Sequence, residues 1–245
     1  MSGGGRTADA TVSVRDRETL ADYSTDWGLA TTDLLIATTP WRRFRWHRGQ
    51  KHYSGTYWSS TERSHVIYES RLELARLLYA DLDAAVHRIV AQPFLLKTKI
   101  DRRVRRHVPD FLLIDEQGPV VVDVKPLAQL SNPKVSLTLD WTRKLVENRG
   151  WRYEVWNEPP ATELGNIRFL AGFRNPRRFD DSLVEAIRQQ ELIGRTLGDA
   201  LSLDFGTPPA LTRSAVFHVI WSQYLTVDMA EPLTRSAILT KGPRA

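Results

Sequence analysis

Residues 107–126, HVPDFLLIDEQGPVVVDVKP, hold two runs of β-forming residues, VPDFLLI and VVVDVK, joined by turn residues from Asp115 to Pro119. A hairpin about Gln117 and Gly118 sets the start of the first strand beside the end of the second, so Asp110 comes close to Asp123 and Lys125. Asp123 and Lys125 are two residues apart on a strand and share a face. Two carboxylates and an amine at the end of an otherwise apolar hairpin are costly to bury without partners. A hard cation such as Mg²⁺ supplies what they need, because it takes oxygen ligands and completes its shell with water and substrate phosphate. Such an ion polarises a phosphodiester and lowers the pKa of a bound water. Lys125 then orients or deprotonates that water, or steadies charge on the phosphate. The chemistry is metal-assisted phosphodiester hydrolysis.

Working outward, residues 69–83, ESRLELARLLYADLD, have helical spacing, with Leu72, Ala75, Tyr79 and Leu82 on one stripe. A short apolar stretch, VHRIVAQPFLL, and a basic block, KTKIDRRVRRH, separate this helix from the hairpin. Ser131 or Asn132 caps a helix starting at Pro133 and ending near Gly150, and WRYEVW is one more strand. Helix, two strands, helix and strand make an α/β core with a mixed sheet, bounded by Pro159 and Pro160. Residues 41–68 are aromatic and β-forming, broken by Gly49 and Gly55, and predict a hairpin or meander. Residues 1–25 are expected as a flexible arm, and 26–160 as the catalytic domain. From 166 to 245, three short helical segments and a hairpin-like stretch are the parts of a small winged-helix-like domain, a module that binds DNA or protein.

The chain has 245 residues, 42% hydrophobic and 26% charged, a globular composition with a net charge of +5. Residues 41–107 hold 15 Lys or Arg against 6 Asp or Glu, so the basic charge is concentrated there. That asymmetry points to a polyanion, since each cation set against a phosphate releases counterions. Arg42, Arg43, Arg45, Arg48 and Lys51, with Lys97, Lys99, Arg102, Arg103, Arg105 and Arg106, are the expected contacts to the DNA backbone. The absence of cysteine excludes disulfides, thiol nucleophiles and cysteine zinc sites. No signal-peptide pattern or membrane-spanning run occurs, which suggests a cytoplasmic protein without membrane contact. The six histidines form no zinc motif, and His107 is expected at the surface. There is no phosphate-binding G-x-x-x-x-G-K-[ST] loop and no G-x-S-x-G elbow.

The Pro109-Asp110…Asp123-x-Lys125 pattern resembles the PD-(D/E)xK nuclease superfamily, whose restriction-endonuclease-like core adds an acid from a preceding helix. On that helix Glu69 falls on the polar side and Glu73 within the apolar arc, making Glu73 the better candidate. Ser70 to Ala75, Gln92-Pro93-Phe94, Asp110-Phe111-Leu112 and Val124-Lys125-Pro126 together resemble the TnsA-type endonuclease subunit of heteromeric transposases, over roughly residues 38–157. This resemblance implies that Glu73, Asp110, Asp123 and Lys125 are catalytic, and that Glu73, Asp110 and Asp123 ligate Mg²⁺, for which Mn²⁺ substitutes. Members of that family can carry glutamine at the position of Asp123, and the charged form here is expected to strengthen metal binding. The resemblance further implies cleavage at the 5′ ends of a transposon, beside a DDE-type transposase, with the C-terminal domain meeting that transposase or an AAA+ regulator. Two rival functions remain: a free-standing restriction or repair nuclease of the same core, and a non-catalytic winged-helix DNA-binding scaffold.

Overall fold

The computed structural model describes residues 10–41 and 53–245. Arg42, Arg43, Arg45, Arg48 and Lys51 therefore lie outside the described residues. The described chain is mixed α/β, and Cα packing divides it into two units. The first gathers the residues up to Tyr57, His65–Arg76 and Val86–Glu158, and the second Trp58–Ser64, Leu77–Ala85 and Pro159–Ala245.

The first unit carries β1 (Thr11–Arg15), β2 (Asp22–Asp26) and α1 (Thr32–Ile36). The hairpin of β3 (Gly55–Ser59) and β4 (Ser64–Tyr68) and the helix α2 (Arg71–Leu82) contribute residues to both units. After them come β5 (Val86–Ala91), β6 (Leu95–Ile100), β7 (Arg103–His107), β8 (Phe111–Asp115) and β9 (Gly118–Val124). The unit closes with α3 (Leu127–Leu130), α4 (Pro133–Glu147) and β10 (Arg152–Trp156). Two four-stranded sheets result, in the orders β2-β1-β6-β7 and β10-β9-β8-β5. The second is mixed, because β10 runs parallel to β9 while β8 and β5 are antiparallel.

The stretch VHRIVAQPFLL divides into β5 and β6 at Gln92, whose left-handed backbone (φ 46°) and following proline break the run. The basic block folds as the β6–β7 hairpin, turning at Asp101 and Arg102, both with positive φ, the conformation a tight two-residue hairpin demands. Helix α4 starts where expected: Asn132 accepts from the Lys134 amide at 2.9 Å, and Pro133 occupies the first turn.

Residues 11–26 depart from the expected flexible arm. β1 pairs with both β2 and β6, and Val12 and Val14 enter a core with Leu96, Leu112, Val121, Trp141 and Leu145. The apolar alternation of TVSVR, five residues long, is too short to stand out beside the polar residues around it, and its partner β6 lies some 80 residues away in sequence. Burial of the hydrophobic residues on one face outweighs the polar composition of the segment.

The second unit adds α5 (Ala161–Leu170), α6 (Asp181–Arg188), α7 (Leu197–Ala200), α8 (Pro209–Trp221), β11 (Leu225–Thr226) and β12 (Thr240–Lys241). The segment before α7 pairs with the returning chain, through the Gly194 amide to the Leu239 carbonyl (2.8 Å) and the Leu197 amide to the Ala237 carbonyl (2.7 Å). Thr196 and Asp199 form a reciprocal capping box on α7. Inside this unit Trp221 Nε1 donates to Ser60 Oγ, and Arg174 Nε to the Trp58 carbonyl, so residues 58–64 depend on the C-terminal helices. No helix among the described residues is long and apolar enough to cross a membrane.

Val12→Ala should lower unfolding stability by about 2 kcal/mol, from lost apolar burial and a residual cavity. Urea denaturation checks this, and a residue in a loose arm would leave the midpoint unchanged.

Candidate active site

Register places the first pair of site residues. Phe111 lies opposite Val122 and Leu112 opposite Val121, which sets Asp110 across from Asp123 at the end of the hairpin. The backbone of Asp110 is held from both sides: its amide donates to the Val122 carbonyl (3.1 Å), and its carbonyl accepts from the Gln92 amide (2.9 Å). Its Oδ2 accepts from the Val124 amide (2.6 Å) and from Lys125 Nζ (3.1 Å). The lysine ammonium also donates to the Val124 carbonyl at 2.9 Å.

Glu73 sits at the third position of α2, where Ser70 and Glu73 form a reciprocal cap. Ser70 Oγ accepts from the Glu73 amide (3.0 Å), and the Glu73 carboxylate accepts from the Glu69 amide (2.7 Å) and the Ser70 hydroxyl (3.1 Å). The S-x-x-E spacing is the sequence signal for this cap, and it aims the carboxylate by backbone geometry. Burial and the charge of Asp110 push Glu73 up to about 7.

Burial also raises Asp110, opposed by Lys125 and reinforced by Asp123. Burial acts against the Lys125 ammonium, yet the charges of Asp110, Asp123 and Glu73 outweigh it and raise its pKa. Lys125 is therefore a cation and a donor at neutral pH, which disfavours the base role among those expected of it. The four motif residues thus share one electrostatic neighbourhood in the first unit.

Asp123 differs from the other two acids. It is fully buried, with His107 Nε2 at 2.7 Å from Oδ1 and 2.9 Å from Oδ2, and the Tyr153 hydroxyl at 2.5 Å from Oδ2. An ionised carboxylate only accepts, so Nε2 carries the proton. Burial acts to raise Asp123, but the bonds from His107 and Tyr153 and the charges of His107 and Lys125 hold it low. Burial and the Asp123 charge raise the Tyr153 phenol, which stays a donor.

His107, expected at the surface, is thus a largely covered partner of Asp123, with Trp141 edge-on to its ring at 6.1 Å between centroids. Neither it nor Tyr153 was marked by the motif. Strand alternation was the available signal, since Tyr153 shares a sheet face with Val155, which pairs with Asp123.

The fit of a cation rests on Glu73 and Asp110. Both are carboxylates raised by burial, and Glu73 is raised further by the charge of Asp110, an arrangement that a hard cation relieves. Among the described residues no three His, Cys, Asp or Glu side chains are grouped closely enough to hold a metal ion between them.

The described basic residues separate by strand face. Lys97, Lys99 and Arg106 lie on one face of the β6–β7 hairpin, and Lys97 Nζ donates to Ser13 Oγ at 3.2 Å. Arg103 and Arg105 share the opposite face with His107. The Arg105 Nε is buried without a hydrogen-bond partner among the described residues. Arg102 stands in the turn.

The mixed α/β fold is consistent with a nuclease-like domain. Residues 83–158 match the family model described as TnsA-like endonuclease N terminal. The matched stretch contains Asp110, Asp123, Lys125, His107 and Tyr153 and stops short of Glu73 in the N-terminal direction. No curated protein matches the chain. The match supports a nuclease of the TnsA-like type.

The Glu73 charge has a consequence for stability. Its folded pKa of about 7 lies above the ordinary 4.5, so between these values the folded protein keeps a proton that the unfolded chain releases. Stability therefore falls as pH rises through that window. Glu73→Gln retains a capping side chain and should stabilise the metal-free protein by about 1–3 kcal/mol at pH 8 while changing little at pH 4. Unfolding in EDTA at both pH values checks this, and an equal effect at both contradicts a buried charge.

Proposed function

We propose that the protein is a Mg²⁺-dependent DNA endonuclease subunit of a heteromeric transposase, hydrolysing a phosphodiester at the 5′ ends of a transposon. The observation that supports this reading is the contact of Lys125 with Asp110 at the end of the β8–β9 hairpin, inside a stretch similar to the TnsA-like endonuclease domain, with the Glu73 carboxylate outside that stretch but within reach of their charges. Glu73 and Asp110 are the residues that would hold Mg²⁺, or Mn²⁺ in its place. Bound there, the ion supplies Lewis acidity to the phosphate and acidity to a water. Lys125 donates to the attacking water or to the phosphate oxygens, where negative charge grows as the new P–O bond forms and the opposite P–O bond breaks. Asp110 holds the ammonium in place at 3.1 Å.

Double-stranded DNA is the substrate. Lys97, Lys99, Arg102, Arg103, Arg105 and Arg106 of the hairpin grip its backbone, together with Arg42, Arg43, Arg45, Arg48 and Lys51. Backbone contacts carry little sequence information, so target choice belongs to the partners, a DDE-type transposase or an AAA+ regulator. We assign the partner contact to residues 166–245, read as a winged-helix-like domain acting in the cytoplasm. The order α6, short pairing segment, α7, α8, β11, β12 supports this. Helix α8 supports a protein partner over DNA: seven of its residues are buried and Arg213 is its only Lys or Arg, too little charge to track phosphates.

Nicking of supercoiled plasmid at low salt tests the reading, with Mg²⁺ or Mn²⁺ and with the transposase subunit added where the isolated protein is silent. Asp110→Ala and Lys125→Ala should each lower the rate by about a hundredfold or more, and binding should weaken steeply with salt. Silence in both formats would favour a non-catalytic scaffold. Nicking that survives both substitutions would place the centre elsewhere.

A further inference from the structure

We propose that Asp123, which stands where the superfamily motif carries a metal ligand, is instead a positioning residue. His107 and Tyr153 hold its carboxylate behind the site, and it anchors the end of β9 from which Lys125 reaches Asp110. This rests on the nuclease reading above.

Three observations carry it. First, Asp123 has no solvent exposure, and both of its oxygens are engaged at 2.5–2.9 Å by donors on two different strands. A carboxylate has about four acceptor sites, and three contacts from these donors fill most of them, so turning an oxygen toward a cation would loosen the bonds of a largely covered imidazole and a buried phenol, and weakening buried hydrogen bonds is costly. Second, those donors are themselves fixed. His107 pairs with Leu96 across the β6–β7 ladder and meets the edge of Trp141, while the Arg143 guanidinium lies 5.0 Å over the Tyr153 ring. Third, no group of three potential ligands exists among the described residues, whereas Mg²⁺ needs only one or two carboxylates when waters and substrate phosphate complete its shell. Glu73 and Asp110 meet that need. The charge on Asp123 does different work: the Asp123 carboxylate, two residues before Lys125, holds the strand end to β7 and β10, and so fixes where the ammonium can reach.

The full-length protein is titrated calorimetrically with Mn²⁺ alone, and plasmid nicking is followed as a function of DNA concentration, for wild type, Asp110→Asn, Asp123→Asn, Tyr153→Phe, His107→Gln and His107→Ala. Asp110→Asn should weaken Mn²⁺ binding about tenfold or more, while Asp123→Asn and Tyr153→Phe weaken it clearly less than Asp110→Asn does. Both should slow nicking at saturating DNA, by about 10–100-fold for Asp123→Asn, without moving the half-saturating DNA concentration. His107→Gln, which retains a terminal N–H donor, should keep more activity than His107→Ala. Loss of Mn²⁺ binding in Asp123→Asn equal to that in Asp110→Asn would overturn the proposal. If Asp123→Asn fails to fold, the nearly isosteric Tyr153→Phe decides: tighter Mn²⁺ binding would mark Asp123 as a ligand that the phenol restrains, and unchanged binding with slower nicking would mark a positioning role. A wild type that neither binds Mn²⁺ nor nicks beside the transposase would overturn the nuclease reading itself, whereas an active wild type with a metal-blind Asp123→Asn would overturn this inference alone.

Discussion

Asp123 has no solvent exposure, and the rest of the site depends on how its buried charge is satisfied. His107 comes from β7 in one sheet, while Tyr153 comes from β10 and Asp123 from β9 in the other. Removing a hydrogen-bonding partner from a buried carboxylate leaves that charge poorly compensated, at a cost of about 1–3 kcal/mol or more. The network therefore ties the two sheets at one point, at the open end of the β8–β9 hairpin.

Above it, the site stores unfavourable charge. Glu73 is doubly committed, since its capping bonds stabilise the start of α2 while its burial beside Asp110 disfavours the ionised form. An arrangement that costs stability in the metal-free protein and is relieved by a cation is what a functional site tuned for binding looks like. Lys125 supplies the only amine among the four motif residues, and its neighbours keep it charged.

Much of this was legible from residues 107–126 alone. Runs of β-forming residues and turn chemistry place the hairpin, and the hairpin places Asp110 beside Asp123 and Lys125. The helical wheel picks Glu73 over Glu69, although the Ser70 to Glu73 cap, not the apolar arc, is what aims it. What escaped depends on pairing over long sequence distances. β1 finds its place only through β6, and Tyr153 reaches Asp123 only because β10 pairs in parallel with β9. His107 looked like one more polar residue after a basic run, and only the β6–β7 register turns it inward. Local pattern does not encode these choices, because the hydrophobic surface they bury is shared with strands elsewhere in the chain.

In the function we propose, Glu73 and Asp110 hold a divalent cation at the end of the β8–β9 hairpin. Anomalous diffraction from crystals soaked in Mn²⁺ tests it most directly. One strong peak is expected within about 2.0–2.4 Å of a carboxylate oxygen of Asp110 and of Glu73, the range of hard-cation bonds to oxygen, with the His107 and Tyr153 bonds to Asp123 intact. A peak ligated by Asp123 with those two bonds broken, or a peak remote from Asp110, would contradict it.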